Sequence, residues 1–162
     1  MKKFVKVSVM ALVAMFAIST VADAQSVKTH EFDKFIAVYP ADFKPKIVWG
    51  DVDGFFIDDY HLFEVVIDPY CAKLETLKDF GDDRKESLEE KGFKCDEPVV
   101  KGNTVYVRGV NGNQVRYWFA VKDAALPDEE CFRGLFWCLT SDEAKYKPIL
   151  LEQMMPGLKL KK

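Results

Sequence analysis

The chain has 162 residues, of which 49% are hydrophobic and 30% charged, and its formal net charge is −3 at pH 7. It contains no internal repeat and no low-complexity segment. A mildly acidic chain with interspersed charges does not bind nucleic acid or anionic lipid through charge alone, which argues against those two classes of partner.

Residues 1–24 have the pattern of a secretory signal peptide. Lys2 and Lys3 precede an apolar run, and small residues then occupy the positions that a signal peptidase reads. We expect cleavage between Ala24 and Gln25. The alternative, a membrane anchor, would need a longer apolar run. We therefore expect a secreted or periplasmic protein with no membrane span after removal of the signal peptide.

The mature chain (25–162) is predicted to be a single domain. Removing 24 of the 162 residues leaves 138, and removing three lysines and one aspartate changes the net charge from −3 to −5. A chain of this length is large enough for a substantial core.

The first part of the mature chain is predicted to be rich in strands. Residues 25–31 are polar and indicate a loose leader, whereas residues 32–39 end in a first strand. Pro40 stops that strand because proline has no N–H to donate. Alternation over residues 55–68 indicates further strands. Glu64 lies among apolar neighbours there. Its side chain either faces solvent or lies in a cleft as a carboxylate with a perturbed pKa.

The acidic turn at residues 50–54 invites a calcium-binding interpretation. An EF-hand loop with Gly54 in its sixth place would need an acid at Trp49 and a glutamate at Tyr60, and both positions fail. A solvated hairpin turn is the better interpretation.

The first helix is predicted over residues 74–91. Thr76 or Asp79 can cap turns within it, and Gly92 is suited to its C-terminal end. A further strand is predicted over residues 93–100.

Three consecutive strands, 104–110, 114–122 and 131–140, are predicted to form the centre of the fold. Residues 111–113 (Asn-Gly-Asn) join the first two, and Asn-Gly between apolar runs is a strong hairpin signal. Alternation in the second strand predicts one face that is more apolar than the other. The apolar set is Val115, Tyr117, Phe119 and Val121.

A second helix is predicted to follow these strands. Thr140 and Glu143 have the spacing of a capping box, in which the hydroxyl and the carboxylate satisfy free backbone N–H groups. Pro148 either kinks the helix or starts its main segment, and residues 156–157 (Pro-Gly) end it.

Four cysteines in an exported chain permit two disulfides. Their spacing does not suit zinc, which favours pairs two to four residues apart, and buried free thiols are the other alternative. If the strands form an antiparallel meander, Cys95 and Cys138 lie at one end of the sheet and Cys71 and Cys131 at the other. We therefore predict the pairs Cys71–Cys131 and Cys95–Cys138, because a bridge needs Cα atoms within roughly 7 Å.

No catalytic, metal-binding or cofactor motif is present, so we expect a protein that is not an enzyme and has no cofactor. His61 with Asp58 or Asp59 is the one combination that suggests a hydrolase, although both acids also suit turns.

Aromatic residues on a sheet face are a candidate binding surface, because they can stack on a ligand or on a partner's side chain, and contact with an overlying helix explains them at least as well. The candidates are Trp118, Trp137 and Trp49.

Four features of the sequence follow a known pattern: residues 35–40 (FIAVYP), residues 65–69 (VVIDP), Gly102 and Gly112 in successive turns, and residues 151–159. With these features, the order of elements resembles the PsbP-like α+β family, which includes the photosystem II subunit PsbP, the Ran-binding Mog protein and DcrB-like bacterial exported proteins. Gly157 and Leu158 stand where the family usually has Ser-Phe.

The resemblance implies an α+β fold, an antiparallel β-sheet with helices packed on it. It also implies a non-catalytic binding or accessory module whose partner is a protein or a small molecule. No functional residue of the family transfers to this chain. Two alternatives stay open, a small exported hydrolase and a disulfide-stabilised inhibitor-like protein.

Overall fold

The structure, a computed structural model, describes residues 27–49, 52–69, 76–128 and 130–162. The side chains of residues 47–49, 52–56 and 58 lie outside this description. The predicted signal peptide, its cleavage site at Ala24 and Gln25, and Cys71 also lie outside it.

The described ranges form an α+β fold with eleven strands in two antiparallel sheets, as expected from the sequence. The strands are β1 (Val27–Glu31), β2 (Phe35–Pro40), β3 (Lys44–Trp49), β4 (Val52–Asp58), β5 (His61–Asp68), β6 (Lys94–Cys95), β7 (Val99–Lys101), β8 (Thr104–Asn111), β9 (Gln114–Val121), β10 (Cys131–Leu139) and β11 (Lys159–Leu160). The helices are α1 (Leu77–Glu90) and α2 (Glu143–Ile149). A 3-10 turn (Thr140–Asp142) precedes α2, and a π-helical turn (Leu150–Met154) follows it.

The larger sheet has the order β3-β4-β5-β10-β9-β8-β6, with β7 also paired to β8. The three strands predicted as the centre are adjacent in this sheet, as β8, β9 and β10. The alternation in β9 is confirmed, since all four predicted apolar side chains are buried on the face that α2 covers. The predicted strand over 93–100 is two short strands, β6 and β7, which both pair with β8.

The smaller sheet has the order β1-β2-β11, and two of its strands were not predicted. Residues 27–31, interpreted as a loose leader, pair with residues 36–40 of β2. At the other end of the chain, Lys159 and Leu160 pair with Ile36 and Phe35. Neither strand has a sequence pattern that predicts it, and both are stabilised by pairing with β2.

Helix α1 lies within the predicted range 74–91 and begins after Thr76, one of the two residues predicted to cap turns there; the Thr76 hydroxyl accepts a hydrogen bond from the Asp79 amide at 3.2 Å. Gly81, which weakens a helix on propensity alone, is required by packing. A Cβ there would lie 2.7 Å from the Pro98 Cβ and 2.9 Å from Val105 Cγ2. The helix therefore packs closely on the sheet at β8.

The capping box predicted at Thr140 and Glu143 is wrong. Neither the 3-10 turn nor α2 has a side-chain cap, because the Glu143 carboxylate is bonded to the sheet. Pro148 lies inside α2, where it has no N–H for the helix ladder. The helix continues through it, and the widened turn that follows has an i to i−5 bond from the Met155 amide to the Leu150 carbonyl at 3.0 Å.

Candidate binding surface

The two faces of the larger sheet are covered unequally at β9, β10 and β5. We call the face against α2 and the C-terminal turn the closed face, and its side chains are almost fully buried. They include Phe63, Val65, Phe119, Phe132 and Phe136, each 0% exposed. Helix α1 covers the opposite face at β8 and part of β9. On that opposite face the side chains of β10 and β5 are mostly half-buried.

The predicted tryptophans share this less covered face, which we call the open face and define by Trp118, Trp137, Leu135, Glu64 and Arg133. Register fixes the arrangement: Leu135 lies directly between Trp118 on β9 and Glu64 on β5. Directly opposed residues of antiparallel strands point to the same side. The backbone of Trp49 lies in β3, but its side chain lies outside the description, so its part in the surface stays a prediction.

Arginine side chains hold both tryptophan rings in place. Around Trp118, the Arg84 guanidinium carbon lies 5.5 Å from the ring centroid and that of Arg133 lies 6.0 Å from it. Around Trp137, Arg116 lies 6.0 Å from the ring centroid and also 4.7 Å from that of Phe93. Each such contact contributes about 0.5–2 kcal/mol, depending on how far the cation is desolvated.

Charged groups on the open face are partly desolvated. Burial raises the pKa of Glu64, while the positive charge of Arg133 acts in the opposite direction. Burial also lowers the pKa of Arg116. Arg133 donates its Nε to Asp68 at 3.0 Å. The surface therefore combines aromatic rings, cations held at fixed positions and one carboxylate shifted toward its neutral form.

Sequence reasoning did not find the arginines of this surface. Arg116 and Trp118 are two residues apart on one strand, and this spacing puts them on one face. Arg84 comes from α1, and its buried Nε has no hydrogen-bond partner among the described residues. Its position over Trp118 depends on how the helix packs, which the sequence pattern does not specify.

His61 lies at the edge of the closed face, one residue before Leu62, which is the register partner of Trp137 on the opposite face. Its side chain is buried, and its Nε2 is 2.8 Å from Oδ2 of Asp142. Its ring also contacts Tyr146, with centroids 5.7 Å apart. The carboxylate found beside it therefore comes from a residue 81 positions away. Asp59 is exposed in the turn before β5, and the side chain of Asp58 lies outside the description.

A charged cluster joins α2 to the closed face. Arg108 donates Nε and Nη2 to the two oxygens of Glu143 at 2.5 and 2.7 Å, and the Tyr117 hydroxyl donates to the same carboxylate. These bonds lower the pKa of Glu143, with Arg108 as the largest cause. The pKa of Tyr117 is raised, first by burial and then by its bond to Glu143. The cluster fixes the start of α2 and has the character of a structural contact.

The predicted pairing of Cys95 with Cys138 is wrong, because both residues are free thiols. Two strands, β9 and β8, lie between β10 and β6, and neighbouring strands are about 4.8 Å apart. The two sulfurs also lie on opposite faces, with Cys138 in the closed-face core and Cys95 beside Leu88 of α1. The prediction matched cysteines at the same end of the sheet and did not consider how many strands lie between them.

The other predicted pair, Cys71–Cys131, stays a prediction because Cys71 lies outside the described residues. Cys131 is buried at the start of β10.

Among the described residues no group of three or more His, Cys, Asp or Glu side chains is placed to hold a metal ion. No helix in the described part of the chain is long and apolar enough to cross a membrane.

Comparison with known proteins identifies the fold through structure alone. No protein-family profile and no curated protein sequence matches the chain. The solution structure of cyanobacterial PsbP (CyanoP) from Synechocystis sp. PCC 6803 is similar with a TM-score of 0.58 and 12% identity, over 87% of this chain and 96% of that one. The crystal structure of the Ran-binding protein Mog1p from Saccharomyces cerevisiae is similar with a TM-score of 0.59 and 14% identity, over 85% of this chain and 96% of that one. The chain therefore has the PsbP-like fold that its order of elements predicted.

Proposed function

We propose that this protein is an exported, non-catalytic binding or accessory module, secreted or periplasmic, that holds a protein partner on its open face. The observation that carries the proposal is the pair of half-buried tryptophans, Trp118 and Trp137, held on one face by arginines. Tryptophan and arginine are enriched among the residues that dominate binding energy at protein interfaces.

The form of the open face supports a protein partner. Its aromatic rings are already held in place, so binding costs little side-chain entropy. Arg133 and Glu64 beside the rings can form charge-assisted hydrogen bonds once a partner excludes water. One structural neighbour, Mog1p, is recorded as binding the protein Ran, which is consistent with protein binding on this fold.

Site-specific photo-crosslinking in the organism's envelope tests the proposal. A benzophenone amino acid at Leu135 lies at the centre of the open face, and one at Asn113 lies in the exposed β8–β9 turn as a matched control. We expect a discrete adduct from position 135 alone, and we expect Trp137→Ala to abolish it. Equal adducts from both positions, or an adduct that survives Trp137→Ala, would contradict the proposal.

The proposed export rests on the leader at residues 1–24. N-terminal mass analysis of the exported protein should give Gln25, free or cyclised, as the first residue. A mature chain that retains residues 1–24 would refute this part of the proposal.

We also propose a Cys71–Cys131 disulfide in the exported protein. The support is that Cys131 is buried at the start of β10, whereas Cys95 and Cys138 are free thiols. Non-reducing peptide mapping should join the peptides of Cys71 and Cys131. Finding all four thiols free, or Cys71 joined to Cys95, would refute it.

Absence of catalysis is the remaining part of the proposal. His61→Ala should leave crosslinking from position 135 intact, because His61 lies on the other face and is given no role in proton transfer. A loss of biological activity by several orders of magnitude in a variant that still folds would favour the hydrolase alternative instead.

A further inference from the structure

A cleft of 660 Å³ opens on the closed-face side of the sheet, between its β7–β8 edge and the C-terminal turn. Val99 and Tyr106 lie directly opposite each other on β7 and β8, and Val121 continues the same face on β9. Leu151 and Met155 form the wall on the helical side. This volume lies within the usual range of small-molecule sites, about 300–1,000 Å³.

The lining is apolar in its depth and charged at its rim. Val121, Met155 and Leu158 are each 3% exposed, so an apolar floor is already formed. The rim carries two exposed lysines, Lys101 and Lys159, neither of which has an ion-pair partner among the described residues. An apolar interior with unpaired cations at the opening suits a ligand with an apolar chain and an anionic head.

The rim also carries two carboxylates, Asp123 and Glu152. Asp123 accepts hydrogen bonds from the backbone amides of Ala125 at 2.9 Å and Leu160 at 3.4 Å, so both of its oxygens are engaged within the fold. Glu152 is exposed at the mouth. Two lysines and two carboxylates give the rim no net formal charge, and Lys101 and Lys159 are its cations without an ion-pair partner among the described residues.

We infer that this cleft binds a free, single-chain amphipathic carboxylate, with the alkyl chain against Val121, Met155 and Leu158 and the carboxylate between Lys101 and Lys159. The site lies on the face of the sheet opposite to the tryptophans, so it is independent of the proposed protein partner. Val99 of β7 is 42% exposed and lines the cleft, where a bound chain would reduce its contact with water.

Calorimetry with defined probes below their micelle concentrations tests the inference. Octanoate, decanoate and dodecanoate should bind with increasing affinity, by about fourfold for each methylene that enters the cleft. Dodecanol, which has the chain without the charge, should bind more weakly than dodecanoate. Equal affinity for the alcohol and the acid, no dependence on chain length, or no binding at millimolar dodecanoate would each overturn the inference.

Exposed variants locate the site without risk to the core. The double variant Lys101→Gln/Lys159→Gln should weaken dodecanoate binding by about fivefold and leave dodecanol unchanged. The control Lys28→Gln/Lys91→Gln removes the same charge from exposed residues outside the cleft and should change neither. An equal effect of the two double variants would overturn the assignment to this cleft.

Two further experiments complete the test. Val99→Glu places a carboxylate on the lining and should reduce dodecanoate binding more than dodecanol binding. Sedimentation with phosphatidylglycerol vesicles separates a free carboxylate from a membrane headgroup. Lysine-dependent retention on vesicles without calorimetric binding of dodecanoate would overturn the inference in favour of a lipid surface.

Discussion

The closed face and the open face belong to the same strands but differ in their chemistry. On β10, Phe136 points to the closed face and is 0% exposed, while its neighbours Leu135 and Trp137 point to the open face and are half-buried. Strand alternation puts successive residues on opposite sides, so one sequence serves a core and a surface together. β10 therefore contributes to the core on one face and, on the other, to the surface that we propose binds a partner.

Truncating one residue on each face should give the largest contrast. Phe136→Ala removes a fully buried ring and should lower the free energy of unfolding by about 3–5 kcal/mol. Leu135→Ala, one residue earlier, removes a half-buried side chain and should cost about 1 kcal/mol. Urea unfolding measures both. Equal losses would mean that the open face is covered as fully as the closed one.

A pH series on Glu143→Gln sharpens the comparison at the closed face. The variant should lose about 2 kcal/mol near neutral pH, because Arg108 and Tyr117 lose a charged acceptor. The folded pKa of Glu143 is lowered, so its contribution is present above the unfolded pKa of about 4.3 and is lost as pH falls through the folded value. The unfolding free energies of wild type and variant should therefore converge in acid. A gap that stays constant from neutral pH into strong acid would contradict this ionic role.

The smallest expected effect is a difference in alkylation rate between the two free thiols, Cys95 and Cys138. This rate depends on how well the surrounding structure protects each thiol from solvent. Burial first, and then the charges of Glu143 and Asp142, raise the pKa of Cys138 to about 12. At pH 8 roughly one Cys138 in ten thousand is the reactive thiolate. Cys95 is half-buried near α1 and its pKa is also raised by burial, but its sulfur is more accessible. Mass spectrometry after iodoacetamide treatment of the native protein should find Cys95 modified well before Cys138. Modification of both at one rate would show that the closed face opens readily.

The central strands could be predicted because the sequence signals that specify them lie close together in the chain. An Asn-Gly turn and alternation set the β8–β9 hairpin, and Gly112 adopts the positive φ of 58° that such a turn requires. The same reasoning failed at β1 and β11, which have five and two residues and no pattern of their own. Both strands are stabilised by pairing with β2, which is close to β1 in the sequence but far from β11.

The candidate surface was only partly predictable for the same reason. Trp118 and Trp137 were recognised as strand aromatics, but the register that places them together crosses the long loop between β9 and β10. Loops of that length do not set register as a two-residue turn does. The Asp142 partner of His61 and the Arg84 contact with Trp118 also depend on helix packing, which local patterns do not encode.

The arrangement of the smaller sheet has a consequence for how the chain folds. β2 lies between strands from opposite ends of the described chain, since Ile36 pairs with Glu31 on one side and Lys159 on the other. Contacts between residues so far apart in sequence form slowly, because a long loop must close before they contribute. This sheet cannot be completed until the last strand has been synthesised, so the growing chain stays open at that edge throughout translation. For a chain that we propose to be exported, β1 and β2 would therefore reach the membrane before their sheet is complete.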